Sequence, residues 1–74
     1  MNQLSQARTG SNLVFISANG GMGVMGRLTD MGLIPGEKIK VLHNTGHGQV
    51  TVNIKGSKVA IGHGLAQKIV VREE

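Results

Sequence analysis

The spacing of apolar residues changes along the chain. Leu13-Val14-Phe15-Ile16 is a continuous β-favouring run that stops at Ser17-Ala18-Asn19-Gly20. From Gly20 to Met31 the period becomes helical: Val24, Leu28 and Met31 stand at i, i+4 and i+7, with Met25 beside them. Asn19 is the candidate N-cap, Gly32 the candidate left-handed stop, and Pro35 lies just beyond it. From Glu37 onward the period is two. Ile39, Val41 and His43 face one way, with Lys38 and Lys40 on the other side. Val50, Val52 and Ile54 alternate with Gln49, Thr51 and Asn53, and Val59 and Ile61 continue the inward set. Asn44–Gly48 and Lys55-Gly56-Ser57 read as turns, so this part is a meander of three strands. Gly62-His63-Gly64 interrupts. Residues 65–69 then suit a helical turn, and Ile69-Val70-Val71 a closing strand.

An early strand within residues 1–11 would make the count five or six, with two brief helical pieces. Short strands with little helix to cover them predict a small closed barrel, because closure removes exposed edges. Residues 1–74 form one domain with one core, with no repeat or linker. The chain has no cysteine and one aromatic residue, Phe15, so Ile, Val, Leu and Met must fill that core. No apolar run approaches a membrane span and no secretory pattern opens the chain, so a cytoplasmic protein without direct membrane insertion is expected. The net charge of +4 is mild. It comes mostly from residues 37–74, with five Lys, one Arg and three Glu.

Gly21, Gly23 and Gly26 fit the spacing G-x-G-x-x-G, which raises the question of a nucleotide. The context does not support one. Antiparallel hairpins follow instead of a crossover and parallel strand, and no acid stands at the expected distance. The phosphate-loop form fails because Arg27 and Leu28 stand where Lys and a hydroxyl residue belong. The plain reading leaves these glycines in a loop and the start of a short helix; a sharper one has Gly23 and Gly26, three apart on one face, let another backbone come close. The domain's own strands are the first candidate and a partner the second.

The stretch Arg27-Leu28-Thr29-Asp30-Met31-Gly32-Leu33-Ile34-Pro35-Gly36, followed by Glu37-Lys38-Ile39-Lys40-Val41, resembles the FeoA family of small ferrous iron transport proteins. The match continues through Gln49–Ile54, Gly56, Val59-Ala60-Ile61 and Ala66–Val71. Two places depart from the family pattern: the extra glycines before the Arg-Leu pair, and Gly62-His63-Gly64-Leu65. The resemblance implies a mostly β, SH3-like barrel of five to six short strands with two short helices. It also implies a non-enzymatic accessory of ferrous iron uptake, whose partner is FeoB, the membrane transporter with a cytosolic GTPase-type domain. Physically, Gly32 ends the helix and Leu33 can fold back on it. Leu28, Met31 and Ile34 are expected in the core.

The expected interface is the exposed side of the Gly20–Gly32 segment: Gly23, Met25, Arg27 and Asp30, with Leu33 at its rim. Exposed methionines there would make an adaptable apolar contact. Arg27 could serve as an arginine finger for the partner's GTPase domain, but its plainer role is a surface Arg near Asp30 at i, i+3. His43, His47 and His63 lack a cysteine or acid cluster beside them, so no metal site and no cofactor is assigned. No serine or threonine has a base and orienting acid in its vicinity, so no catalytic site is assigned. Two alternatives stand. One is a nucleic-acid-binding barrel using Lys38, Lys40, Lys55 and Lys58, disfavoured by the lack of aromatic stacking partners. The other is a self-assembling regulatory module with weak self-association.

Overall fold

The computed structural model describes residues 2–74. Six strands form one antiparallel sheet: β1 (Asn2–Gln3), β2 (Asn12–Ala18), β3 (Lys38–Asn44), β4 (Val50–Ile54), β5 (Ser57–Ile61) and β6 (Ile69–Glu73). Their order is β1-β6-β2-β3-β4-β5. Helix α1 (Gly21–Asp30) joins β2 to β3, α2 (His63–Ala66) joins β5 to β6, and a 3-10 turn (Leu4–Gln6) follows β1. The meander β3-β4-β5 follows from the period-two pattern, and its inward residues Ile39, Val41, Val50, Val52, Ile54 and Ile61 are all buried.

The inner surface closes around Phe15, Leu13, Leu28, Leu33, Ile69 and Val71, with Leu4 and Ala66 completing the core. The sheet does not close by hydrogen bonds at its ends. The terminal strands β1 and β5 pair with β6 and β4 respectively, and not with each other among the described residues. The edge strand β1 has only two residues, and the edge strand β5 carries Lys58, both of which discourage edge-to-edge growth.

Two bulges reset the alternation. One lies between Phe15 and Ser17 in β2. The other lies between Val41 and His43 in β3, where Val41 opposes Val52 but His43 opposes Thr51. The extra residue turns His43 outward, so it is exposed and not part of the inward set expected from simple alternation.

The stop of α1 is a Schellman motif built from Met-Gly-Leu. Leu33 N donates to Leu28 O at 2.8 Å and Gly32 N to Thr29 O at 2.9 Å. Gly32 sits at φ +87°, which a residue with a Cβ adopts only under strain. The reversal drives Leu33 back onto Leu28, and both are fully buried. Ile34-Pro35-Gly36-Glu37 is a turn closed by Glu37 N to Ile34 O at 2.9 Å. It lifts Ile34 out of the core, leaving it 46% exposed, contrary to its expected burial. Gly36 N donates to Phe15 O and Phe15 N to Glu37 O, so the turn delivers the chain straight into pairing with β2.

The helix starts also differ from expectation. The N-cap of α1 is Gly20, at φ +106°, with no side-chain cap. A Cβ there would meet Val24 Cγ2 at 2.7 Å, so that position has no room for one. Asn19 instead donates its backbone N–H to Lys68 O. Helix α2 begins at His63, earlier than Leu65, because Gly62 O already accepts Ala66 N. Ile69 is then free to open β6.

One side chain secures the N-terminal segment. Asn44 Nδ2 donates to Ala7 O at 2.6 Å and Ser5 O at 3.1 Å, and Asn44 Oδ1 accepts Gly46 N at 2.9 Å. Asn44→Ala removes three bonds at a half-buried site and is expected to cost about 1–3 kcal/mol. Asn44→Asp is expected to be worse, because its carboxylate would face two carbonyl oxygens. Urea unfolding of both variants checks the order.

Candidate functional site: the outer face of the first helix

Helix α1 attaches through one side. Leu28 is fully buried, and Val24, Met25 and Met31 are partly buried against the core. At 100° per residue the opposite side carries Met22, Gly23, Gly26, Arg27 and Asp30, all exposed. Met22 is 91% exposed, the most exposed large apolar side chain among the described residues.

Of the residues expected at an interface, Gly23, Arg27 and Asp30 lie on this outer side. Met25 lies at its border, half-buried. Leu33 is not at the rim: the Schellman turn places it wholly in the core. Met22 is the residue that the spacing argument omitted. The helical pattern contains the signal, since Met22 falls outside the Val24–Leu28–Met31 stripe.

Gly23 and Gly26 do not serve a close approach of the domain's own strands. Neither has a positive φ, and a Cβ built on either would meet no atom within 4 Å. The domain's own strands therefore do not press on them. Gly26 is a helix-interior glycine that weakens α1 by about 1 kcal/mol relative to alanine, and Gly23 lies in the first turn, where the cost is smaller.

Arg27 and Asp30 are not joined by an ion pair. Among the described residues the ion pairs are Lys38–Glu74 at 2.9 Å and Lys55–Glu37 at 3.4 Å. Thr29 Oγ1 is turned inward along the helix, donating to Met25 O at 2.9 Å. The outer face thus presents an apolar Met22, two bare backbone patches, and one charge of each sign without a local partner.

The histidines remain apart. His43 and His47 are exposed and His63 is half-buried on α2, and no group of three potential metal ligands forms among the described residues. No described helix is long and apolar enough to cross a membrane.

A family model described as "FeoA domain" matches residues 2–73. The chain is 41% identical over 73 residues to a candidate Fe(2+) transport protein A of Methanocaldococcus jannaschii, covering 99% of this chain and 88% of that one. A crystal structure of an FeoA described as an iron uptake regulatory protein superposes with a TM-score of 0.90 at 33% identity, covering 97% of this chain and 96% of that one. The zinc-complexed FeoA of Stenotrophomonas maltophilia, described as a prokaryotic SH3 domain protein, superposes with a TM-score of 0.81 at 19% identity, covering 97% and 91%. The six-stranded antiparallel sheet is thus of the SH3-like kind, and with nearly its whole length matched the chain belongs to the FeoA family.

Proposed function

We propose that this chain is an accessory protein of ferrous iron uptake that docks on the cytosolic part of a FeoB-type membrane transporter through the outer face of α1. The observation that carries the reading is the condition of that face. Gly23 and Gly26 cost the helix stability with no internal strain or close approach to justify them, beside a methionine 91% exposed. Bare helix backbone lets a partner approach closely, and Met22 with half-buried Met25 supplies apolar surface that can adapt to it. Arg27 and Asp30 then set orientation, each free to pair across the interface. The family supports the iron theme. The M. jannaschii relative bears a ferrous transport name, and the S. maltophilia FeoA is put forward as a ferrous iron transport activating factor. The role is regulatory contact and involves no chemical step.

Ferrous iron uptake and transporter co-purification test this together in cells lacking the native chain. Met22→Asp and Arg27→Glu, both at exposed positions, are expected to reduce both while the purified variants keep the wild-type fold. If both readouts hold steady in folded variants, the face is wrong. If the wild-type chain does not associate with the transporter, the partner is wrong.

A further inference from the structure

The outer face of the sheet carries a second organised surface. Strand register puts Asn12, Lys40, Asn53 and Lys58 in one row across β2, β3, β4 and β5. Side chains opposite one another in adjacent strands share a face. The inward neighbours Ile39, Val41, Val52 and Ile54 are buried, so this row points outward. Lys40 and Lys58 are exposed and neither joins an ion pair among the described residues. They flank Asn53 at a separation of about 10 Å between backbones, two strand spacings.

Asn53 is committed in one sense. Its Oδ1 accepts Gly56 N at 3.0 Å within the two-residue turn Lys55-Gly56, where both residues have positive φ. What remains free on Asn53 is the amide donor. The centre of the row therefore offers three donor groups, Lys40 Nζ, Asn53 Nδ2 and Lys58 Nζ, with the amide's carbonyl oxygen already occupied.

The adjoining rows extend the pattern. Arg72, Val14 and Lys38 stand opposite one another across β6, β2 and β3. Val14 lies outside the core cluster, yet it is 7% exposed between its two long cationic neighbours. Lys38 is held by Glu74, which raises its pKa above the ordinary value through a hydrogen bond and the opposite charge. On the other side lie Leu42, 36% exposed, and the His43–Thr51–Ala60 row.

We infer that this face, centred on Lys40, Asn53 and Lys58 with Leu42 at its border, docks an acidic segment of a partner protein. Charge complementarity names the occupant's chemistry: carboxylates for the three donors, and an apolar side chain for Leu42. Nucleic acid suits the face less well, because Phe15, the chain's one aromatic, is buried and offers no stacking. A lipid surface suits it less well too, because among the described residues Leu42 is the one large apolar side chain this face exposes for insertion. The inference is independent of the α1 reading, since none of its residues lies on α1.

The test uses the full chain and three probes at one ionic strength: a short synthetic Glu/Leu peptide, a single-stranded oligoribonucleotide, and vesicles of phosphatidylcholine with phosphatidylserine. The peptide is expected to bind most tightly and to shift backbone amide signals of β3, β4 and β5. Lys40→Glu with Lys58→Glu is expected to weaken peptide binding by about tenfold or more. Lys40→Gln with Lys58→Gln should weaken it less, and serves if the double reversal disturbs folding. Lys55→Gln, in the turn and paired to Glu37, and Arg27→Glu, on α1, should leave it unchanged. The inference is overturned if the peptide fails to bind, if RNA or vesicles bind more tightly, or if the lysine variants bind as the wild type does.

Discussion

Phe15→Ala removes about 3–5 kcal/mol of stability, enough to leave the domain near its unfolding threshold. Phe15 is fully buried at the middle of β2, the strand held between β6 and β3. It is the largest of the fully buried side chains, and every other member of the core cluster is aliphatic. The cavity left by truncation cannot readily collapse. Phe15 N and O are both fixed to the turn at Gly36-Glu37, and Phe15 opposes Val71 in the ladder with β6. With both sides of the strand tied, the surrounding backbone has little freedom to move inward, and the full cavity cost is paid. A chain of 74 residues without cysteine has no disulfide to offset such a loss. Urea denaturation checks it: the midpoint should fall steeply for Phe15→Ala and less for Phe15→Leu, which keeps most of the apolar volume. A loss below about 1 kcal/mol would mean that the core repacks around the gap.

The same fixed ladder explains which parts of the fold were legible in the sequence. Alternation identified β3, β4 and β5 because these strands bury one face, and the buried valines and isoleucines had to recur every second residue. Met31-Gly32-Leu33 announced a helix stop because a left-handed position favours glycine and the returning Leu33 needs an apolar contact. The bulges gave no such signal. An inserted residue shifts phase without changing composition, so simple alternation points His43 inward while its register with Thr51 turns it outward. Edge closure was equally hidden, since it depends on how far the sheet curls and not on which residues it contains.

The site was half legible for a related reason. The helical period separates an inner stripe from an outer one, and that correctly placed Gly23, Arg27 and Asp30 outside. It could not say how far the chain turns inward after the helix, and so it had Leu33 fold back yet remain at the interface rim and put Ile34 in the core, whereas the Schellman turn buries Leu33 fully and the Pro35-Gly36 turn exposes Ile34. Nor could it tell whether Gly23 and Gly26 met the domain's own strands. Glycine identity does not tell a close approach from open space, and three-dimensional packing does.

On the outer face of α1, stability and partner binding should move in opposite directions. Gly26→Ala adds a methyl into open space at a negative φ, so it should stabilise the isolated chain by about 0.5–1 kcal/mol. Gly23→Ala should act in the same direction with a smaller gain, because Gly23 lies in the first turn of α1. Added bulk at either position would block close approach of a partner, so affinity for the soluble cytosolic part of a FeoB-type transporter should fall. Met22→Asp should reduce that affinity most. Burying a methionine contributes about 1.5–3 kcal/mol, which corresponds to roughly 10- to 150-fold in Kd, and an aspartate would add a desolvation cost. Its effect on the free chain should be small, because Met22 is 91% exposed and packs against nothing in the core cluster. Thermal melts and titration calorimetry on the same preparations give both quantities. A rise in Tm with undiminished affinity in the glycine variants would remove the interface role of the bare backbone. Undiminished affinity in Met22→Asp would remove the face altogether. A gain in stability coupled to a loss of binding has no explanation within the isolated domain, whose atoms do not reach Gly23 or Gly26.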